Sequence, residues 1–254
     1  MRVPHLNRKQ KILRNLLLCA LLGFCVYAAL GFPPYTVKGM CRQVARDYFL
    51  EDLEPVYVRQ DKFKYAYEGL SRKDTFVLAR SGETYAAFQF QQHGLQNLRY
   101  YVRSYGVEME NDALCTAWGG TLYAAGPFAD AVSATAVVTA RRQYASLGEA
   151  GEPVDFTLKG EKLSDGAFAF SYISPEHSWY SPTSMHGRDP APGQEIDLLD
   201  AIELWYWEPL GEEDGGGYSL LHAELPCAVT LYGADGGVLD VLELEVDVYE
   251  LNDT

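Results

Sequence analysis

The stretch CAVTLYGADGGVLDVLELEVDV, residues 227–248, decides the fold of the C-terminal half. Its glycine-rich turn, residues 233–237, separates two runs in which apolar residues recur at every second position. Those apolar residues are Cys227, Val229, Leu231, Leu242, Leu244, Val246 and Val248. Because successive side chains of a strand point to opposite faces, this pattern predicts an antiparallel hairpin. One face lies in the core, and Glu243, Glu245 and Asp247 face water.

The region around this hairpin consists of short apolar runs divided by glycine, proline and aspartate. Strands are expected at 132–140, 154–159, 167–173, 201–207 and 219–223, in addition to the final hairpin. A series of six or seven short strands with turn signals between them is typical of an antiparallel β-sandwich. The sequence therefore predicts an acidic, immunoglobulin-like β-sandwich module over residues 127–254.

The preceding region, residues 33–126, is expected to form a membrane-proximal α+β module. Thr36 is a suitable N-cap for a helix whose apolar residues recur at helical spacing through about Phe49. The period then changes to two, and strands are expected at 75–80, 84–91 and 98–105, with weaker ones at 56–59 and 121–125. This order predicts a helix that packs its apolar stripe on one face of an antiparallel sheet.

The N-terminus has the pattern of a membrane anchor. Residues 1–15 form a basic tail with no acidic residue, and residues 16–32 form an apolar run without charge. A run of this length is at the short end of what spans a bilayer, and a basic flank stays in the cytoplasm. We therefore predict a single-pass signal-anchor helix in the cell membrane, with the C-terminal domains extracytoplasmic. The alternative is a cleaved signal sequence, because residues 28–31, Ala-Ala-Leu-Gly, offer small side chains near a suitable position.

Charge divides the chain unevenly. The whole sequence has a formal net charge of −14, yet residues 35–142 contain 13 Lys and Arg against 12 Asp and Glu. Residues 143–254 contain 3 Lys and Arg against 23 Asp and Glu. An acidic surface of this kind repels nucleic acid and other polyanions and attracts cationic partners. The sequence predicts no nucleic-acid partner.

The longest segment without a repeating period is residues 174–194, SPEHSWYSPTSMHGRDPAPGQ. Long irregular connections inside a compact domain tend to be binding loops, and this one combines aromatic faces with hydrogen-bonding edges. Its candidate ligand-binding residues are His177, Trp179, Tyr180, His186 and Arg188. Trp205 and Trp207 share one face of an expected strand and add a second aromatic strip. The structural alternatives are that Trp179 closes the end of the core and that the Trp205–Trp207 strip packs against a neighbouring domain.

Signatures of catalysis and of metal binding are mostly absent from the sequence, although folding could bring Cys115 and His222 together as a nucleophile and base. It contains no Gly-x-Ser-x-Gly, Ser-x-x-Lys, Walker, His-Glu-x-x-His or dinucleotide-binding motif. The acidic row at Glu243, Glu245 and Asp247 lacks the loop spacing of a calcium site. Cys41, Cys115 and Cys227 show no Cys-x-x-Cys spacing, so buried thiols are expected and at most one internal disulfide. We predict no catalytic residue, no metal and no cofactor.

Together these features favour an exported, membrane-anchored, non-catalytic binding or interaction module. Its expected partners are membrane lipid, through the N-terminal helix, and a carbohydrate, peptide or protein ligand. Two alternatives remain at this point, an auxiliary structural subunit of a membrane complex and a hydrolase that acts on cell-wall polymer or peptide.

Overall fold

The computed structural model describes residues 7–29, 34, 36–64, 70–95, 98–140, 152–172, 198, 201–202, 207–209, 218–220 and 223–248. The first helix, α1 (Arg8–Ala29), begins with two side-chain hydrogen bonds that cap its first turn. The Gln10 backbone N–H donates to Asn7 Oδ1, and the Asn7 backbone N–H donates to Gln10 Oε1, each at 2.9 Å.

Helix α1 is long and apolar enough to cross a membrane. Its 22 residues span about 33 Å at 1.5 Å per residue, and its apolar window has a mean hydropathy of 1.6 with no buried residue. Among the described residues this is the one helix with these properties, and an N-terminal signal sequence shares them. A membrane anchor and a signal sequence are both compatible with α1.

The second helix, α2 (Val37–Asp47), has the N-cap that the sequence predicts. The Gly39 backbone N–H donates to Thr36 Oγ1 at 3.1 Å, which satisfies one of the otherwise unpaired donors of the first turn. The helix ends before Phe49, slightly earlier than predicted. Its buried residues, all on one face, are Met40, Cys41, Val44 and Ala45.

Four antiparallel strands follow and form a sheet in chain order, β1-β2-β3-β4. They are β1 (Glu54–Lys64), β2 (Leu70–Ser81), β3 (Thr84–Leu95) and β4 (Leu98–Asn111). The predicted turn between β2 and β3 is confirmed, because Ser81 pairs with Thr84 across Gly82, whose φ is +62°. The buried face of α2 packs on this sheet against Val77, Ala79, Ala86, Phe88 and Phe90. The fold is therefore α+β and rich in antiparallel sheet.

The remaining long strands form one seven-stranded sheet of order β13-β12-β7-β8-β9-β6-β5. These strands are β5 (Leu114–Trp118), β6 (Thr121–Ala125), β7 (Ser133–Ala140), β8 (Val154–Ser164), β9 (Ala167–Ser171), β12 (Glu224–Tyr232) and β13 (Val238–Asp247). Two short strands, β10 (Trp207–Pro209) and β11 (Tyr218–Leu220), pair with each other. One core draws residues from β5, β6, β7, β9, β12 and β13, so the sheet coils around it and brings its edge strands β5 and β13 into contact.

Strand β8 explains why this region is one sheet. It pairs with β7 through residues 154–159 and with β9 through residues 160–164, so the two halves are continuous. Gly160 lies at this change of partner, and a Cβ there would be 2.7 Å from Phe170 Cε1 and 2.9 Å from the Ala134 carbonyl oxygen. The predicted immunoglobulin-like sandwich is not confirmed.

The chain passes from one sheet to the other at a different position from the step in its net charge. Strands β5 and β6 precede residue 126 but belong to the seven-stranded sheet, so the four-stranded sheet gives way to it at residues 112–113. The boundary predicted between residues 126 and 127 rested on the step in charge and on the change from a helix-plus-sheet pattern to an all-strand pattern, and neither of these indicates which strands pair. Independent folding of residues 33–126 and 127–254 stays a prediction.

The predicted C-terminal hairpin is confirmed, with β12 and β13 antiparallel and Cys227, Val229 and Leu231 buried.

The strand predicted over residues 201–207 is wrong at its first residues. Residues 198, 201 and 202 are helical, and their side chains are buried. Spacings of three and four residues also place side chains on one helical face, so an apolar run this short does not distinguish helix from strand.

The two sheets also pack against each other. The face of the four-stranded sheet away from α2 contributes Phe76, Leu78, Tyr85 and Ala87, which contact Leu114, Trp118, Tyr123, Ala125 and Ala167 of the other sheet. The Phe76 and Trp118 rings are stacked, with centroids 5.2 Å apart and an angle of 4° between planes. A continuous apolar layer therefore joins the two parts of the chain.

Candidate functional site

A large cleft formed by described residues is strongly acidic. It has a volume of about 950 Å³ and lies where the end of β4 and the start of β5 approach strands β7, β12 and β13. Six carboxylates line it, namely Glu108, Glu110, Glu224, Glu243, Glu245 and Asp247. No lysine or arginine is among its described lining residues. A cleft lined by charges of one sign concentrates the electric field inside it and attracts ions of the opposite charge.

The β12–β13 hairpin positions most of these carboxylates. Glu243, Glu245 and Asp247 are alternate residues of β13 and so share one face of the strand. The register places them opposite Ala228, Pro226 and Glu224 of β12 in that order. The residues opposite Glu243 and Glu245 are Ala228 and Pro226, so neither of these two carboxylates faces a cation across the strand pair.

The opposite wall of the cleft comes from the junction of the two sheets. Glu108 and Glu110 alternate on β4, and the chain then turns at Asp112, which has a left-handed φ of +69°. The Asp112 backbone N–H donates to the Glu83 carbonyl oxygen at 2.9 Å and holds this turn against the β2–β3 hairpin. The turn thus fixes the direction in which β5 leaves the four-stranded sheet for the seven-stranded one.

Glu243, Glu245 and Asp247 form a row along one face of β13. Among the described residues, no group of three or more His, Cys, Asp and Glu side chains has a geometry that holds a metal ion. Spread along two walls of a large cleft, the carboxylates match an extended cationic ligand better than a single ion.

Two cysteines lie at the base of the cleft. Cys115 on β5 and Cys227 on β12 are both buried, and their Sγ atoms are 3.9 Å apart. The contact with Cys115 lowers the pKa of the Cys227 thiol, whereas burial acts in the opposite direction. Cys41, on the buried face of α2, belongs to a different core cluster from this pair, and burial raises its pKa to about 11. The two cysteines of the cleft therefore differ chemically from the third.

A second exposed surface lies on α2. Lys38, Arg42 and Arg46 follow one another at four-residue intervals, and all three are exposed, so they form a basic stripe beside the buried face. Arg46 also pairs with Asp47 at 3.1 Å on the surface. Helix α2 follows α1 closely, because a fully extended chain from residue 29 to residue 37 spans at most about 28 Å.

Phe49 extends this surface at the C-terminal end of α2. The Leu50 backbone N–H donates to the Ala45 carbonyl oxygen at 2.8 Å, which is the six-to-one hydrogen bond of a Schellman motif. That motif places Phe49 in the left-handed region, with φ +59°, where glycine is the usual residue. The Phe49 side chain is 95% exposed. Backbone strain and the exposure of an aromatic ring both disfavour phenylalanine here as far as folding alone is concerned.

The ligand-binding residues predicted from the sequence fall mostly outside the described residues. This applies to His177, Trp179, Tyr180, His186, Arg188 and Trp205, and also to His222, the possible catalytic partner of Cys115. Trp207 lies on β10, where it pairs with Leu220 of β11. The proposed aromatic site stays a prediction.

Sequence reasoning found one wall of the acidic cleft and missed the other. It identified Glu243, Glu245 and Asp247 as a solvent-facing row but gave no role to Glu108, Glu110 or Glu224. A local signal does exist for Glu108 and Glu110, which alternate with Val107 and Met109 just beyond the strand expected at 98–105. Nothing in the local pattern indicates that the two rows meet. No protein-family model matches this chain, and no curated protein or solved structure matches it.

Proposed function

We propose that this chain is a membrane-anchored, non-catalytic interaction module, and that its acidic cleft receives a lysine- and arginine-rich segment of a partner protein. The observation that carries this proposal is the set of six carboxylates, without lysine or arginine among the described lining residues, around a cleft of about 950 Å³. Ligand sites usually measure about 300–1,000 Å³, so the cleft is large enough for several side chains of an extended peptide.

The exposure of the carboxylates favours rapid and selective association. Glu110, Glu224, Glu243 and Glu245 are all exposed, so a cationic segment reaches them without opening the core. Electrostatic complementarity of this kind raises association rates and excludes acidic competitors. The same charges repel nucleic acid.

A test of the cleft uses the full-length chain in detergent and an octalysine peptide as the probe. Loss of an exposed ion pair costs about 0.5 kcal/mol, and two carboxylates act together on a multivalent ligand. The double variant Glu243→Gln/Glu245→Gln should therefore weaken octalysine binding roughly fivefold. The matched control is Glu152→Gln/Glu161→Gln, which removes the same charge from exposed positions that do not line the cleft.

Equal weakening in the two double variants would show that octalysine responds to net charge alone and would refute the cleft as its site. Octaglutamate and an uncharged octapeptide serve as ligand controls. Binding of octalysine should also weaken steeply with added salt, because the ions screen exposed charges.

The same proposal places α1 in the membrane and the β-rich domains on its outer side. The exposed basic stripe and Phe49 support it, because a cationic helix with an aromatic tip suits the headgroup region of an anionic bilayer. Full-length protein should remain in the membrane fraction after carbonate extraction, and protease added outside should digest the chain beyond residue 34. Recovery of a soluble protein that begins near residue 31 would instead identify α1 as a cleaved signal sequence.

The aromatic segment at residues 174–194 belongs to this proposal as a second contact for a carbohydrate or peptide. Its residues Trp179, Tyr180, His177, His186 and Arg188, with Trp205 and Trp207, provide stacking faces and hydrogen-bonding edges. A screen of wall sugars and peptides against the parent and against Trp179→Ala tests this part separately from the cleft.

One observation favours a second candidate function, that of a structural subunit in a membrane complex. Val238, Leu239 and Val241, at the start of the edge strand β13, are 60%, 50% and 51% exposed, and Val132 nearby is 52% exposed. Exposed apolar residues on an edge strand suit pairing with another chain. Replacement of Leu239 with Lys should disrupt such an assembly, as measured by size-exclusion chromatography with light scattering, and leave octalysine binding unchanged.

A further inference from the structure

The cysteine pair at the base of the cleft has the arrangement of a cross-link site. Cys115 and Cys227 are 112 residues apart in sequence, yet their Sγ atoms lie 3.9 Å from each other. Both side chains are almost fully buried, at 7% and 2% exposure, and both contribute to the lining of the cleft. Since a disulfide needs a sulfur separation of about 2.0 Å, the two atoms must approach by only about 2 Å.

We propose that Cys115 and Cys227 are oxidised to a disulfide that fastens strand β5 to strand β12 at the base of the acidic cleft. The bond would link the edge strand β5 to the strand beside the opposite edge of the seven-stranded sheet. It would thereby fix the curl of the sheet and the separation of the two cleft walls. This inference does not depend on the proposed cationic partner.

The oxidant is a disulfide, supplied by a small molecule or by an oxidoreductase of an exported compartment. The Cys227 thiolate attacks one sulfur of the oxidant, forms a mixed disulfide and displaces the first thiolate. Cys115 then loses its proton and attacks Cys227 Sγ, which releases the second thiolate. Two protein thiols and one disulfide are converted to one protein disulfide and two thiols, so that atoms and electrons balance.

The geometry also assigns the order of attack. Cys115 is placed to donate its S–H to the Cys227 sulfur, which favours the thiolate form of Cys227 and lowers the pKa of that thiol. Cys227 is therefore the attacking residue and Cys115 the resolving one. In a Cys115→Ser variant the mixed disulfide should accumulate on Cys227.

Cys41 provides a matched internal control. It is as buried as Cys227, with 2% exposure, and it too lines a cleft, one of about 730 Å³ beside α2. Its pKa of about 11 keeps it protonated, whereas that of Cys227 lies below the ordinary 9.0. Because a larger fraction of Cys227 is thiolate, Cys227 should form the mixed disulfide faster than Cys41 at pH 8.

The experiment uses the full chain in detergent with Cys19→Ala and Cys25→Ala, so that the two anchor cysteines form no intermolecular bond. Incubation of the reduced protein with oxidised glutathione should lower its mass by two hydrogen atoms. Peptide mapping without reductant should then recover the peptides of Cys115 and Cys227 as one linked species, with Cys41 alkylated. Because the bond closes a loop of more than 100 residues, the melting temperature should rise by roughly 10 °C on oxidation.

A Cys227→Ala variant should show neither the linked peptides nor the rise in melting temperature, and a Cys41→Ala variant should show both. Recovery of Cys115 and Cys227 as separately alkylated peptides from the folded parent would overturn the proposal. This mapping requires no substitution in the pair, so it decides the question even if Cys227→Ala does not fold. It is also independent of octalysine binding, so failure of the disulfide and failure of the acidic cleft are distinguishable.

Discussion

Arg59 connects the two sheets, and its removal should lower the stability of the whole chain. The Arg59 guanidinium lies 5.0 Å from the centroid of the Trp118 ring and donates to Tyr123 Oη at 3.0 Å. Trp118 and Tyr123 belong to the seven-stranded sheet, whereas Arg59 is on β1 of the four-stranded one. Arg59→Met removes these contacts and retains an apolar stem of similar length.

The magnitude follows from the burial of each partner. Loss of the cation–π contact costs about 1 kcal/mol. Tyr123 is 1% exposed, so its hydroxyl loses a donor where water has little access, at a cost of about 2 kcal/mol. The Asp61 ion pair, at 3.3 Å, is about a third exposed on both sides and adds little. Arg59→Met should therefore destabilise the chain by about 3 kcal/mol and lower its melting temperature by roughly 6–12 °C.

The assay is thermal unfolding followed by circular dichroism, with Arg59→Met, Tyr123→Phe and the double variant compared in one cycle. The coupling energy between Arg59 and Tyr123 should be about 1–2 kcal/mol. Arg80→Met is the matched control, because Arg80 lies over the Tyr85 ring at 5.6 Å but is exposed and connects residues of one sheet. Destabilisation no greater than that of Arg80→Met, or separate melting of the two sheets in the parent, would refute this reasoning.

Three further outcomes are expected. Gly160→Ala should destabilise the chain by about 2 kcal/mol in chemical denaturation, because a Cβ there would overlap Phe170 and the Ala134 carbonyl. An unchanged unfolding midpoint would mean that β8 does not bend tightly at Gly160. Phe49→Gly should relieve the left-handed strain and raise the free energy of unfolding by about 1 kcal/mol. The same substitution should reduce the binding of residues 33–254 to vesicles that contain one-third phosphatidylglycerol. Unchanged binding would show that the Phe49 ring does not contact the membrane. Trp179→Ala should change the melting temperature little if the ring belongs to a binding loop, whereas a loss of about 3–5 kcal/mol would place it in the core.

Local periodicity was sufficient to predict the elements whose neighbours in space are also neighbours in sequence. The C-terminal hairpin and the amphipathic α2 follow from repeats of two and of three to four residues, because a side chain's face is set by its own backbone position. The same reasoning failed where local patterns are ambiguous. Residues 201–202 are helical rather than extended, and the last turn of α2 stops before Phe49, where the Schellman hydrogen bond imposes a left-handed backbone.

The sequence by itself determined an apolar N-terminal helix, an acidic C-terminal half, and a row of carboxylates on the water-facing side of β13. Only the tertiary structure decided which strands share a sheet, and it assigned β5 and β6 to the C-terminal strands across the step in charge. It also brought Glu108 opposite the β13 row and Cys115 within 3.9 Å of Cys227. The last two of these pairings join residues more than 100 positions apart, and all of them depend on the packing of whole sheets, which no local repeat of side chains indicates.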